Sequence, residues 1–420
     1  MLALRAMYLE RVRRWLAIWC AVVLLGGLVA STGGRPAASA VVVGAGAPQQ
    51  DTRGPVVSLP PVTVTVPVPV PTTIVPPTVP PLPEATIPPI PVPPAVDPVS
   101  ELDWRPLTPD RFGLYVMNGA TGNGKLLVPD WLIASVSFDP TGNRIAFTAR
   151  QGTTDNGSIP TKLYVVDVGT GIVTQLVPAA SYPEGPAWSP DGRWIAYYDQ
   201  PLQDGPALHS PDETVYLLDV ATGATRRIAA LDQGRWPLEW SPDSTRIAVA
   251  APNHGTIAIV DAASGQVHET PASNNVHEVS WSGDGQHLVV SDQQGPVRIT
   301  DADGANGAVL RADGRFSRWS PTADHISMWV NTQVWVAPVD GSPPQLVDTT
   351  SGSMPVGWSA DGRYLTADSG VTAIDVIDMI AGTATTVVTS TNDVHLSAAD
   401  WAGSGTRFAF VGERSASYRY

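Results

Sequence analysis

One hairpin recurs seven times between residues 137 and 412, and that recurrence limits the fold more than any other feature of the chain. The copies are SFDPTGNRIAFTA (137–149), AWSPDGRWIAYYD (187–199), EWSPDSTRIAVAA (239–251), SWSGDGQHLVVSD (280–292), RWSPTADHISMWV (318–330), GWSADGRYLTADS (357–369) and DWAGSGTRFAFVG (400–412). Their aromatic anchors are Phe138, Trp188, Trp240, Trp281, Trp319, Trp358 and Trp401, with successive spacings of 50, 52, 41, 38, 39 and 43 residues. A unit this short cannot bury its own apolar face. It must stack on its neighbours, and a period of about 40 residues carrying hairpins is that of a propeller blade. Each copy ends one strand on an aromatic, turns through Ser-Pro-Asp-Gly or a variant, and enters an alternating apolar strand such as RIAF or WIAY. Proline presets φ at the second turn position and glycine accepts positive φ at the exit. Six of the fourteen tryptophans therefore serve the repeat, with Phe138 taking the first place, each expected as a wedge between neighbouring sheets.

A weaker second hairpin lies between the copies: LYVVDVGTGIVTQLV (163–177), VYLLDVATGATRRIA (215–229), IAIVDAASGQVHET (257–270) and VWVAPVDGSPPQLVD (334–348). Two hairpins per period make four strands, which is one blade. The first hairpin, GLYVMNGATGNGKLLV (113–128), is of the second type, and the last, around Trp401, is of the first type. Joining them completes a blade from both ends of the repeat region and removes the open sheet edges. The expectation is an all-β propeller of seven four-stranded blades closed by the two termini, with six or eight blades the alternatives if an end repeat is miscounted.

The residues W-S-P-D-G-x-x-I-A-Y resemble the repeat of the TolB-type propellers, and the resemblance covers essentially all of 103–420. It implies an extracytoplasmic propeller that works through protein contacts, often without chemistry of its own. Two departures stand out: a stalk replaces the α/β domain that precedes the propeller in TolB, and the blade count is seven rather than six. Similar propellers also front prolyl oligopeptidase-like serine peptidases, which need a G-x-S-x-G nucleophile elbow. No such pentapeptide occurs in the chain.

Ahead of the repeats, Arg5, Arg11, Arg13 and Arg14 precede an uncharged run at 15–30. A basic flank followed by an apolar run is an export signature. Ala38-Ser39-Ala40 offers a small-x-small cleavage site, so a cleaved signal peptide and a retained anchor both stand. The single cysteine, Cys20, follows Trp19 where a lipid-anchoring motif wants a small residue, and it supports neither a disulfide framework nor a thiolate metal site. From 55 to 98 the chain is dominated by Pro, Val and Thr. Proline removes backbone donors and fixes φ, so this stretch reads as a polyproline II stalk of about 3.1 Å per residue. The organisation expected is export segment at 1–40, stalk at 41–102 and propeller at 103–420. The net charge of −14 argues against a nucleic-acid partner, which needs a basic footprint.

Catalytic signals are weak. Asp191, Asp243, Asp284 and Asp361 sit in a turn that superficially matches the sialidase repeat and read as turn formers. His209, His254, His268, His277, His287, His325 and His395 show no metal-ligand spacing, and His277-Glu278 is the one pair that stands out. No cofactor and no metal are implied. If the anchor strand is innermost, the residues four before each anchor (Ala134, Glu184, Trp236, His277, Arg315, Met354 and Ser397) line the channel mouth. The two insertions, 150–161 and 199–213, fall on that same face. The column two before each anchor (Val136, Pro186, Leu238, Val279, Ser317, Val356, Ala399) is mostly small or apolar. Glu184, Trp236, His277 and Arg315, with their neighbours Tyr182, Arg235 and Phe316, form the candidate binding surface. The functional expectation is a monomeric, membrane-tethered module that binds a protein or envelope component. The alternative is a lyase or hydrolase acting on a carbohydrate or small molecule in the axial channel.

Overall fold

In the computed structural model, residues 105–414 are described except for 152–160, 178–182, 200–211, 233–236, 252–254, 273–275, 294, 349–352, 370–371 and 392–393. The export run and the stalk lie outside these residues. All regular structure among them is β-strand, arranged in seven antiparallel sheets, one per repeat. Blade 4 is representative: Val276–Trp281, His287–Asp292, Val297–Asp301 and Ala308–Arg311 pair in chain order as a meander.

The anchor-bearing strands are Trp131–Phe138, Glu184–Trp188, Glu239–Trp240, Val276–Trp281, Arg315–Trp319, Ser353–Trp358 and Val394–Trp401. Each neighbours the next around a closed ring, so these strands are innermost, which meets the condition on which the channel-mouth column was counted. Blade 7 is built from both ends of the repeat region. Val394–Trp401 and Arg407–Arg414 are joined by Gly113–Asn118 and Asn123–Pro129, with the short pair Arg105–Pro106 added outside. Leu114 lies opposite Val411 and Tyr115 opposite Phe410, whose rings stack 5.1 Å apart at 6°. The seven-blade count and the closure by both ends are as expected.

Burial explains the repeat. Seven apolar clusters occur among the described residues, one at each blade junction, and each contains one anchor. At the junction of blades 1 and 2, for example, Trp188 packs with Leu163, Val165, Ile195 and Tyr197. The anchors are 5–8% exposed. Several indoles also donate across the junction: Trp240 Nε1–H to the Ala187 carbonyl at 3.0 Å and Trp281 Nε1–H to the Glu239 carbonyl at 3.1 Å. Planar groups on the preceding blade cover some of the rings. Arg144 lies 4.9 Å from the centroid of Trp188 and Arg246 lies 4.6 Å from that of Trp281.

The serine after the anchor has an equally local cause. Ser189, Ser241, Ser282 and Ser359 are at most 1% exposed. Each hydroxyl donates to the aspartate two residues on, at 2.5–2.6 Å, and accepts the backbone N–H five residues on, at 2.8–2.9 Å. Asp191, Asp243, Asp284 and Asp361 are thus turn formers, held by their own serines. The turns also meet one another: the Asp191 N–H donates to Ser244 Oγ at 3.0 Å, and Ser404 Oγ donates to the Thr141 carbonyl at 3.1 Å.

Candidate functional site

Residues at two levels of the innermost strands carry the chemistry. The lower level is the position immediately before each anchor, occupied by Ser137, Ala187, Glu239, Ser280, Arg318, Gly357 and Asp400. Small members of this column serve the ring: Ser137 Oγ accepts the Trp188 N–H at 3.1 Å and Ser280 Oγ accepts the Trp319 N–H at 3.3 Å. Asp400 does the same for the Phe138 N–H at 2.7 Å, joining blade 7 to blade 1. The three charged members converge. Arg318 of blade 5 pairs with Glu239 of blade 3, reaching past blade 4, and each side chain keeps about a quarter of its surface exposed (24%). Glu278 of blade 4 stands between them.

Electrostatics ties this group together. Burial alone would lower the Arg318 pKa, but Glu239, Glu278 and Asp400 more than compensate and raise it. Burial pushes the Glu278 carboxyl up, against the pull of Arg318. Burial likewise raises Asp400 to about 6, assisted by Glu239 and opposed by the Phe138 N–H and Arg318. Three carboxyls thus share one guanidinium across four blades. The crevice over the group, lined by Pro237, Ala250, His277, Glu278, Val279 and Arg318, is too narrow to seat a water molecule.

Above it, at the start of the innermost strands, blades 4 and 5 build an aromatic and cationic group. His277 meets Phe316 edge-on at 5.4 Å and 88°. Phe316 meets Trp329 at 5.7 Å and 61°. Arg315 is the cross-strand partner of Trp329, and its Cζ lies 4.6 Å from the indole centroid. Burial lowers His277 to about 4, so the imidazole is neutral at pH 7. Phe316 has φ 51°, in the left-handed region that disfavours a side chain. The equivalent position in blade 2 is Gly185, with φ 60°. A bulge in the innermost strand imposes this conformation at both places. Glycine accepts it freely, whereas a phenylalanine stores about 1–3 kcal/mol of strain there.

Of the candidate residues, His277, Arg315 and Phe316 come together. Glu184 stands on blade 2, with the strand of blade 3 between it and His277. Trp236, Arg235 and Tyr182 lie outside the described residues, as does most of both insertions. The sequence reading did not single out Glu239, Arg318, Asp400 or Trp329. A signal existed for the first three, because a charge immediately before the anchor interrupts a column otherwise made of Ser, Ala and Gly.

No protein-family profile matches the chain. It is similar to YuxL of Bacillus subtilis, an uncharacterized peptidase, at 26% identity over 130 residues, which are 30% of this chain and 19% of that protein. Among solved structures it is similar to TolB from Acinetobacter baumannii, at 16% identity and a TM-score of 0.43 over 65% of this chain and 64% of that one. It is also similar to a putative TolB from Agrobacterium tumefaciens, at 16% identity and a TM-score of 0.44 over 72% of this chain and 98% of that one. The seven-bladed architecture rests on the strand pairing itself.

Proposed function

We propose that the chain is a non-enzymatic binding module, exported and held outside the membrane, which engages a protein partner at the mouth between blades 4 and 5. In this reading residues 1–40 export or anchor the chain, 41–102 form the stalk and 103–420 present the propeller. One observation supports it above the others. The axis beneath the mouth is occupied by the Arg318–Glu239 pair, while the mouth itself offers Phe316, Arg315 and His277, backed by the buried Trp329. Aromatic and arginine side chains are the types that dominate binding energy at protein interfaces.

Phe316→Gly tests the reading without disturbing the fold, because glycine suits the backbone conformation already present at Gly185. The propeller is used as bait on solubilised cell envelope. Recovery of the partner should fall at least tenfold with the variant, while the thermal midpoint stays level or rises. Equal recovery by both baits moves the site off this mouth. The enzymatic alternative draws on the convergence of His277 and Glu278 with Glu239 and Asp400. It gains ground only if a glycan or ester is turned over by the wild type and not by Glu278→Gln.

A further inference from the structure

We propose that the mouth between blades 4 and 5 recognises the terminal carboxylate of an apolar residue in the partner chain, with Arg315 as the anion-binding group. This rests on the binding-module reading and adds the chemistry of the ligand to it.

Arg315 differs from most of the arginines; among the described residues Arg226, Arg227 and Arg246 also form no ion pair, although Arg226 and Arg246 each donate to two backbone carbonyls. Acidic residues outnumber basic ones 39 to 25, so a guanidinium in this chain has carboxylates in excess. Arg111, Arg144, Arg193, Arg298, Arg311, Arg318 and Arg363 are each paired with one. Arg315 forms no ion pair among the described residues. Its recorded polar contact is a long Nη1–H to the Gln293 carbonyl, at 3.4 Å. It is partly buried, and burial lowers its pKa with no acidic neighbour acting against the shift. A partly desolvated cation without a counter-ion is destabilising, and an anionic ligand would offset that cost.

The surroundings narrow the anion. The Arg315 Cζ lies over the Trp329 ring, and beyond the N–H given to Gln293 the guanidinium keeps further N–H donors, a group that takes a carboxylate in bidentate fashion. His277 is neutral at pH 7 and adds no second charge, so a monoanion matches the site better than a dianion. Phe316 stands in contact with Trp329 and supplies an apolar wall beside the cation. A carboxylate with an apolar group on the same carbon fits both, and the end of a polypeptide finishing in an apolar residue has that form.

The test uses four probes on the intact protein labelled with 15N at tryptophan indoles, with the Trp329 resonance assigned by Trp329→Phe. The probes are N-acetyl-phenylalanine, its amide, N-acetyl-aspartate α-amide and inorganic phosphate. The free acid should shift the Trp329 indole signal saturably, with an affinity at least tenfold above that of the amide. Arg315→Gln should abolish the difference and Arg315→Lys should keep part of it. The aspartate derivative, a carboxylate without the apolar group, should bind several-fold more weakly than the acid. Equal shifts by acid and amide, tighter binding of phosphate, tighter binding of the aspartate derivative, or an acid preference that survives Arg315→Gln would each overturn the assignment. So would the absence of any shift in the wild type. Partner capture that still depends on Phe316 would then keep the binding-module reading and discard only the carboxylate.

Discussion

Asp368, on the second strand of blade 6, shows what one side chain can cost this fold. Its Oδ1 meets no hydrogen-bond partner, and burial pushes the carboxyl up to about 7 from the ordinary 3.8. A carboxyl whose folded pKa is raised binds its proton more tightly in the native state, so its contribution falls as pH rises from about 4 to about 7 and stays low above that. Asp400 acts in the same direction up to about 6. His277 acts in the opposite direction between 6.5 and about 4, because only the unfolded chain takes up its proton there. Asp368→Asn removes the ionisation and leaves the shape. It should stabilise the protein by a few kcal/mol at pH 8, at about 1.4 kcal/mol per pKa unit, and the gain should shrink by more than half at pH 5. Thermal unfolding of both proteins at the two pH values checks this, and an advantage independent of pH would contradict it.

At the scale of the element, the turns after the anchors are not interchangeable. Four of them carry proline at the second position: Pro140, Pro190, Pro242 and Pro321. Blade 4 has Gly283 there, and a Cβ at Gly283 would stand 1.8 Å from the Pro321 carbonyl oxygen of the next blade. Gly403 in blade 7 is similarly close to Pro140, at 2.8 Å. Restoring the consensus with Gly283→Pro should therefore destabilise the propeller by about 2 kcal/mol or more, although proline in a compatible turn stabilises by about 0.4–1 kcal/mol. A denaturant midpoint equal to or above that of the wild type would show that the neighbouring turn can yield. The same example marks how far the sequence could be read. Strand, turn and anchor were legible because each depends on a few adjacent residues that recur. Contacts such as Gly283 with Pro321, or Glu239 with Arg318, join different blades through the third dimension. No period announces them. The mouth was legible in part: its column could be counted from the anchors, which brought out His277 and Arg315. Trp329, on the adjacent strand of the same blade, belongs to no counted column.

At the scale of the whole molecule, stability depends on closing the ring. Phe410 and Phe408 are fully buried, and both belong to the cluster that also holds Tyr115, Met117 and Trp401. Phe410→Ala should cost about 3–5 kcal/mol, the range for truncating a buried aromatic. Its distinctive signature lies elsewhere, in the strand Gly113–Asn118, whose amides should lose hydrogen-exchange protection more than those of blades 2 to 5. Uniform loss over all blades would mean that the seam is no weaker than the other junctions. The seam also sets an order of events when the protein is made. The Phe138 N–H and the Asp400 carboxylate that accepts it are 262 residues apart in the chain. At a synthesis rate of about 5–20 residues per second, the earlier partner exists for roughly ten seconds to a minute before the later one. Throughout that interval the strand Gly113–Asn118 has one edge and an apolar face with nothing to meet. The hairpin at 113–129 is thus made before the other hairpins of the repeat region and matched last, and the nascent repeat region is most prone to aggregate there.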